Sequence, residues 1–76
     1  MTLEDCRVSI DEIDEKILEL LNDRMKIVQE VGHIKEKVGG AVYRPEREQH
    51  IINRLSALSQ GLLNHDAIEA IYLEIF

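Results

Sequence analysis

Leu3, Cys6, Ile10, Ile13, Ile17, Leu20, Arg24, Ile27, Val31, Ile34 and Val38 follow one another at alternating intervals of three and four residues, without a break. That is the period of a coiled-coil-like helical seam. The only helix-weakening residue inside the run is Gly32, which costs about 1 kcal/mol relative to alanine and does not stop a helix. The stop comes at Gly39-Gly40, a pair suited to a left-handed C-cap. About 36 residues at ~1.5 Å each make a rod of roughly 54 Å. Leu18, Leu21, Met25 and Val28 widen its apolar stripe beyond a two-stranded seam, so further helices must pack there. What is left of a 76-residue chain is too short to cover such a rod. The expectation is a homodimer in which two long helices pair.

The remainder reads as two shorter helices. Pro45 suits a first helical position, because its missing N–H would be unpaired there anyway. The second helix is expected from Pro45 to Gln60, reached by a loop ending at Arg44 and broken by Gly61, with Ile51, Ile52, Leu55 and Leu58 on its apolar side. Asn64 is the expected N-cap of a third helix with Ile68, Ile71, Tyr72 and Ile75 as its apolar positions. No strand pattern, repeat or low-complexity stretch is present. The fold class is therefore all-α, with three helices per chain in a single domain spanning 1–76. The third helix ends in mid-pattern at "IEAIYLEIF", which reads as a helix cut short and the chain as a domain trimmed from something longer.

Composition narrows the function classes. A domain this small often needs disulfides, a metal or a partner. Cys6 is the only cysteine, which excludes an internal disulfide and fits a reducing compartment. His33, His50 and His65 lie far apart with no cysteine pair near them, so no metal set is indicated. The net charge of -6 argues against a nucleic-acid ligand, which needs clustered lysines and arginines. The acidic start "MTLEDC" and the amphipathic pattern are neither a signal peptide nor a membrane span. The chain reads as cytoplasmic and assembled with a second copy of itself.

The informative residues are the misplaced charges. Arg24 is the only charged member of the seam, and a buried guanidinium needs carboxylates or an anion beside it. Lys35 lies eleven residues on, about three turns or ~16 Å along the helix, so both side chains can converge on a ligand between them. Arg7 flanks the same face but is ~42 Å from Lys35 along one rod. If two rods cross antiparallel near residue 18, Arg7 of one subunit arrives beside residue 29 of the other. On the second helix, counting back from Ile51 and Ile52 puts Glu48 on the apolar side, with Arg44 a turn earlier and Arg47 adjacent. Each charge also has a plain reading. Arg24 is then a register device or ion-pair partner, Arg7 and Lys35 are solvated flanks, and Arg44 and Arg47 pair with Glu46 and Glu48. Convergence of several cations and one carboxylate under a single dimer geometry favours a pocket for a small dianion, since arginine forks bind carboxylates bidentately. No Ser-His pair or activated cysteine points to covalent chemistry, which leaves catalysis by positioning and electrostatic stabilisation.

The ordered set of Arg7, "DEKILELLNDR" ending at Arg24, "VGHIK" ending at Lys35, and "YRPERE" with Arg47 and Glu48 resembles the all-helical, type II (AroQ-type) chorismate mutases over essentially the whole chain. The resemblance implies an intertwined antiparallel homodimer of three-helix chains. It also implies the Claisen rearrangement of chorismate to prephenate, in phenylalanine and tyrosine biosynthesis, without cofactor. By position, Arg7 from the neighbouring subunit and Arg24 would hold the substrate carboxylates. Lys35 would reach the ether oxygen, Glu48 would accept the ring hydroxyl's hydrogen bond, and Arg47 would brace the site. Arg44 stands where the family often has an aspartate that caps the second helix and lies near the substrate hydroxyl. It is a poor N-cap, and by position it is counted with Arg7, Arg24, Lys35, Arg47 and Glu48 among the expected substrate-binding residues. The family's third helix also runs on past the point where Phe76 falls and carries a serine and a glutamine of the site. Two other readings stay open: an isochorismate-pyruvate lyase on the same scaffold, and a helical dimerisation or regulatory module without catalysis.

Overall fold

The computed structural model describes residues 1–40 and 44–76. They form α1 (Leu3–Val38), α2 (Pro45–Leu58) and α3 (His65–Ile75). The chain divides into two compact units, Met1–Gly40 and Ala41–Phe76. The all-α expectation holds, and the long first helix has the length the seam predicts, 36 residues.

The first unit is α1 and its caps. Thr2 is the N-cap, and it forms a capping box that sequence reading missed. The Asp5 N–H donates to Thr2 Oγ1 at 3.1 Å, and the Thr2 N–H donates back to Asp5 Oδ2 at 3.0 Å. Two otherwise unpaired helix-start donors are thereby satisfied. The returned N–H bond from Thr2, followed by its hydroxyl, holds the Asp5 carboxyl below its ordinary value. Glu4 and Asp5 sit in the first turn, Lys35 and Lys37 in the last, each sign at the dipole end that favours it. The helix stops at Gly39, whose N–H donates to the Lys35 carbonyl at 2.8 Å. The C-cap departs from the expected left-handed helical geometry. Gly39 has φ 76° but ψ 155°, an extended positive-φ region open essentially to glycine alone. The loop expected to reach Arg44 lies partly outside the described residues, at 41–43.

No residue of α1 is buried. The seam residues Leu3, Ile10, Ile13, Ile17, Leu20, Ile27, Val31, Ile34 and Val38 are 42–76% exposed, and so are Leu18, Met25 and Val28 on the widened stripe.

In the second unit α2 packs on α3, and the buried residues are Ile51, Ile52 and Ile68. Leu58, expected on the covered side, is exposed. The second helix also stops short of Gln60. Its C-cap is Ser59, in extended conformation with φ -69° and ψ 122°. The Ser59 hydroxyl donates to the Leu63 carbonyl at 2.7 Å, so a local turn bond ends the helix before Gly61 is reached. Asn64 caps α3 as expected, its side chain accepting from the Ala67 N–H at 2.9 Å. Tyr72 and Phe76 close the last turn with ring centroids 5.9 Å apart.

Candidate active site

On α1, Arg24 and Lys35 share a face. Eleven residues turn the helix by three full turns and about 20°, so the two side chains leave the rod in nearly the same direction, ~16 Å apart. Both are half-buried on a helix that is otherwise mostly exposed. Arg7 is exposed and stands about 25 Å from Arg24 along the rod. A single α1 therefore brings Arg24 and Lys35 into line and leaves Arg7 apart, as the spacing predicts.

On α2 the charged residues occupy the first turn. The Arg44 carbonyl accepts from the Arg47 N–H at 3.0 Å and the Glu48 N–H at 3.1 Å, closing the turn that Pro45 begins. Arg44 is the N-cap residue but makes no side-chain cap bond, as expected for arginine at that position. Its Nη1 lies 3.6 Å from Glu46 Oε1 with both side chains largely in solvent, an ion pair of little worth to stability. Glu46 is the partner that the plain reading names for Arg44. Glu48 is half-buried, four residues before the buried Ile52, while Arg47 is exposed. The carboxylate thus lies along the covered side of α2, where counting back from the isoleucines puts it. Glu46 and Glu48 also both favour the positive end of the helix dipole.

The opposite side of α1 carries an open depression lined by Glu15, Leu18, Glu19, Asn22, Asp23 and Lys26. Three carboxylates against one ammonium repel an anion, so the depression is no candidate for the dianion pocket. Among the described residues no group of histidines, cysteines and carboxylates has the arrangement of a metal site, and no helix is long and apolar enough to cross a membrane.

Known proteins resemble this chain in sequence and in fold. The sequence profile of the chorismate mutase type II family matches residues 6–76. The bifunctional chorismate mutase/prephenate dehydratase of Aquifex aeolicus is 39% identical over 96% of this chain, which spans only 21% of that protein's length. The chorismate mutase of Methanocaldococcus jannaschii is 38% identical over 97% of this chain and 72% of its own length. Among solved structures, chorismate mutase from Helicobacter pylori in complex with prephenate matches with a TM-score of 0.90 and 35% identity, covering 97% of this chain and 80% of the other. With a profile match across nearly its whole length, the chain belongs to the chorismate mutase type II family.

Proposed function

We propose that this chain catalyses the rearrangement of chorismate to prephenate in a pocket formed twice in an antiparallel homodimer. Each pocket takes Arg24, Lys35, Arg47 and Glu48 from one subunit and Arg7 from the other. The observation that carries the reading is the alignment of Arg24 and Lys35, two half-buried cations ~16 Å apart on one face of α1.

The reaction is an isomerisation. The ether C–O bond breaks as a C–C bond forms between the enolpyruvyl methylene carbon and the ring. No atom leaves, and no proton is transferred in the bond-making step. The protein's task is to hold a folded conformer and to meet the charge that grows on the ether oxygen. Arg24 and the neighbouring subunit's arginine at position 7 are suited to the two carboxylates, because a guanidinium fork fits a carboxylate bidentately. Lys35 supplies a compact ammonium to the ether oxygen, and one fixed donor of that kind is typically worth ~10²–10³ in rate. Glu48 accepts the ring hydroxyl's hydrogen bond, and Arg47 holds the neighbouring charges in place.

Two features of α1 support the dimer. The apolar residues of its seam other than Cys6 are exposed, and its charge is polarised. Residues 3–23 carry eight acidic and two basic side chains, whereas residues 24–38 carry two acidic and four basic ones. Two such rods attract when antiparallel and repel when parallel. A lone cysteine fits a reducing compartment, so we place the protein in the cytoplasm. The bifunctional relatives support reading residues 1–76 as a mutase domain that can stand beside a second enzyme.

The test is incubation with chorismate, following loss of its absorbance and appearance of prephenate, with isochorismate supplied in a parallel reaction. Prephenate from chorismate is the expected result. Pyruvate release from isochorismate with chorismate untouched would assign the lyase instead, and no turnover of either would leave a dimerisation module.

A further inference from the structure

Arg7 is the residue that the proposed pocket draws from the opposite subunit. Among the described residues its guanidinium makes no ion pair or hydrogen bond. Glu4 and Asp11 stand one turn to either side of it, close enough in sequence to pair on a helix surface, and neither does. With no side-chain tether, the place of Arg7 is set by the backbone of the turn that carries it.

That backbone is tied to Thr2. Arg7 opens the second turn of α1, which starts at Leu3. The Cys6 N–H, on the residue just before it, donates to the Thr2 carbonyl at 3.0 Å. The Thr2 hydroxyl accepts from the Asp5 N–H at 3.1 Å, and the Asp5 carboxylate accepts from the Thr2 N–H at 3.0 Å. Three hydrogen bonds thus close the first turn on a single residue. Packing within the chain adds little there. Of residues 3–8 only Cys6 is half-buried, and the others are exposed. A helix start without buried side chains frays readily, so the cap governs how often Arg7 stands in helical register.

We propose that Thr2 and Asp5 are positioning residues of the mutase site, keeping the first turn of α1 wound so that Arg7 is presented in register to the neighbouring subunit's pocket. The inference rests on the mutase reading above and on its antiparallel dimer. Thr2 and Asp5 touch no substrate and act through Arg7. Such a role has a kinetic signature. An unwound turn lowers only the fraction of enzyme ready to bind, which raises the apparent dissociation constant and leaves the bound state unchanged. KM should therefore rise while kcat holds. Loss of an N-cap of typical strength shifts the wound-to-frayed balance of a turn about fivefold, which bounds the rise.

The test compares the parent with Thr2→Ala, Thr2→Ser, Arg7→Ala, and Thr2→Ala combined with Arg7→Ala. Measurements are steady-state rates with chorismate, titration with prephenate, and sedimentation. Thr2→Ala is expected to keep the parent's assembly and kcat, with KM raised about two- to fivefold and prephenate binding weakened in parallel. Thr2→Ser, which keeps the hydroxyl, should match the parent. In the Arg7→Ala background the Thr2 exchange should weaken prephenate binding no further, because the side chain it positions is already gone. A parent-like KM in Thr2→Ala, whatever its kcat, means that the turn stays wound without the box; it overturns the inference and leaves the mutase reading intact. Equal losses with and without Arg7, or a Thr2→Ala chain that sediments as a single subunit, overturn it as well, because the cap would then serve the rod and not the arginine. A parent that neither turns over chorismate nor binds prephenate removes both readings.

Discussion

Arg24 is the one charged member of a register otherwise given to apolar side chains, and its exchange is the sharpest test at the scale of single residues. Arg24→Ala should lower kcat/KM for chorismate at least tenfold, the equivalent of ~1.4 kcal/mol of transition-state stabilisation. Lys35→Ala should do the same. Initial rates check both, and circular dichroism should show helix content unchanged, because alanine is the best helix former. A loss confined to KM would mean that the side chain binds ground and transition states alike. For Lys35 the loss should appear in kcat, because its partner charge develops only as the ether bond breaks. A second residue-scale prediction concerns acid. Asp5 has its carboxyl held below the ordinary value of 3.8 by the Thr2 N–H and hydroxyl. A carboxyl lowered in the folded state stabilises fully above its unfolded value and loses that contribution as pH falls through the folded one. Urea unfolding across a pH series should therefore show a gap between the parent and Thr2→Ala that is constant near neutrality and narrows in acid, leaving the part due to the Asp5 N–H bond to the Thr2 hydroxyl, which does not titrate.

At the scale of elements, what was legible depended on how local the signal was. The unbroken alternation of three and four residues gave α1 its full length, because one stripe repeated over ten turns leaves few alternatives. Asn64 announced α3, since its side chain bonds three residues away, to the Ala67 N–H. The end of α2 was misread because Gly61 was the visible breaker, while the actual stop is a hydroxyl-to-carbonyl bond between Ser59 and Leu63 that no composition rule singles out. The Thr2–Asp5 box was legible in principle, but it uses aspartate where the familiar signature has glutamate or glutamine. The start of α2 offers a direct test. Arg44 caps with nothing from its side chain, whereas aspartate is among the strongest N-cap residues. Arg44→Asp should stabilise the chain by about 1 kcal/mol, because it gains a cap and the ion pair to Glu46 that it gives up is exposed. Thermal unfolding measures that gain, and rates on the same variant report whether a cation at position 44 matters to the substrate.

At the scale of the whole molecule, the candidate site was legible as a set of residues and not as a place. Arg24 and Lys35 fall into line on one helix, but no fold of a single chain brings Arg7 across ~42 Å of the same rod to Lys35. An assembly can do so, and the arrangement has a consequence that no one-chain site shares. Take two variants, Arg7→Ala and Lys35→Ala, each expected to be nearly inactive because every pocket of the proposed homodimer then lacks one cation. Co-expressed, they also form mixed dimers. If each pocket draws Arg7 from one subunit and Lys35 from the other, one of the two pockets in a mixed dimer lacks both cations and the other is complete. Random pairing makes half of the dimers mixed, so about a quarter of the parent's activity per site should return, as the two-fold symmetry requires. Were Arg7 and Lys35 to serve the same pocket from the same chain, every pocket in every dimer would stay defective and mixing would restore nothing. The rate of prephenate formation by the co-expressed pair, set against each variant alone, separates the two arrangements without a structure of the complex.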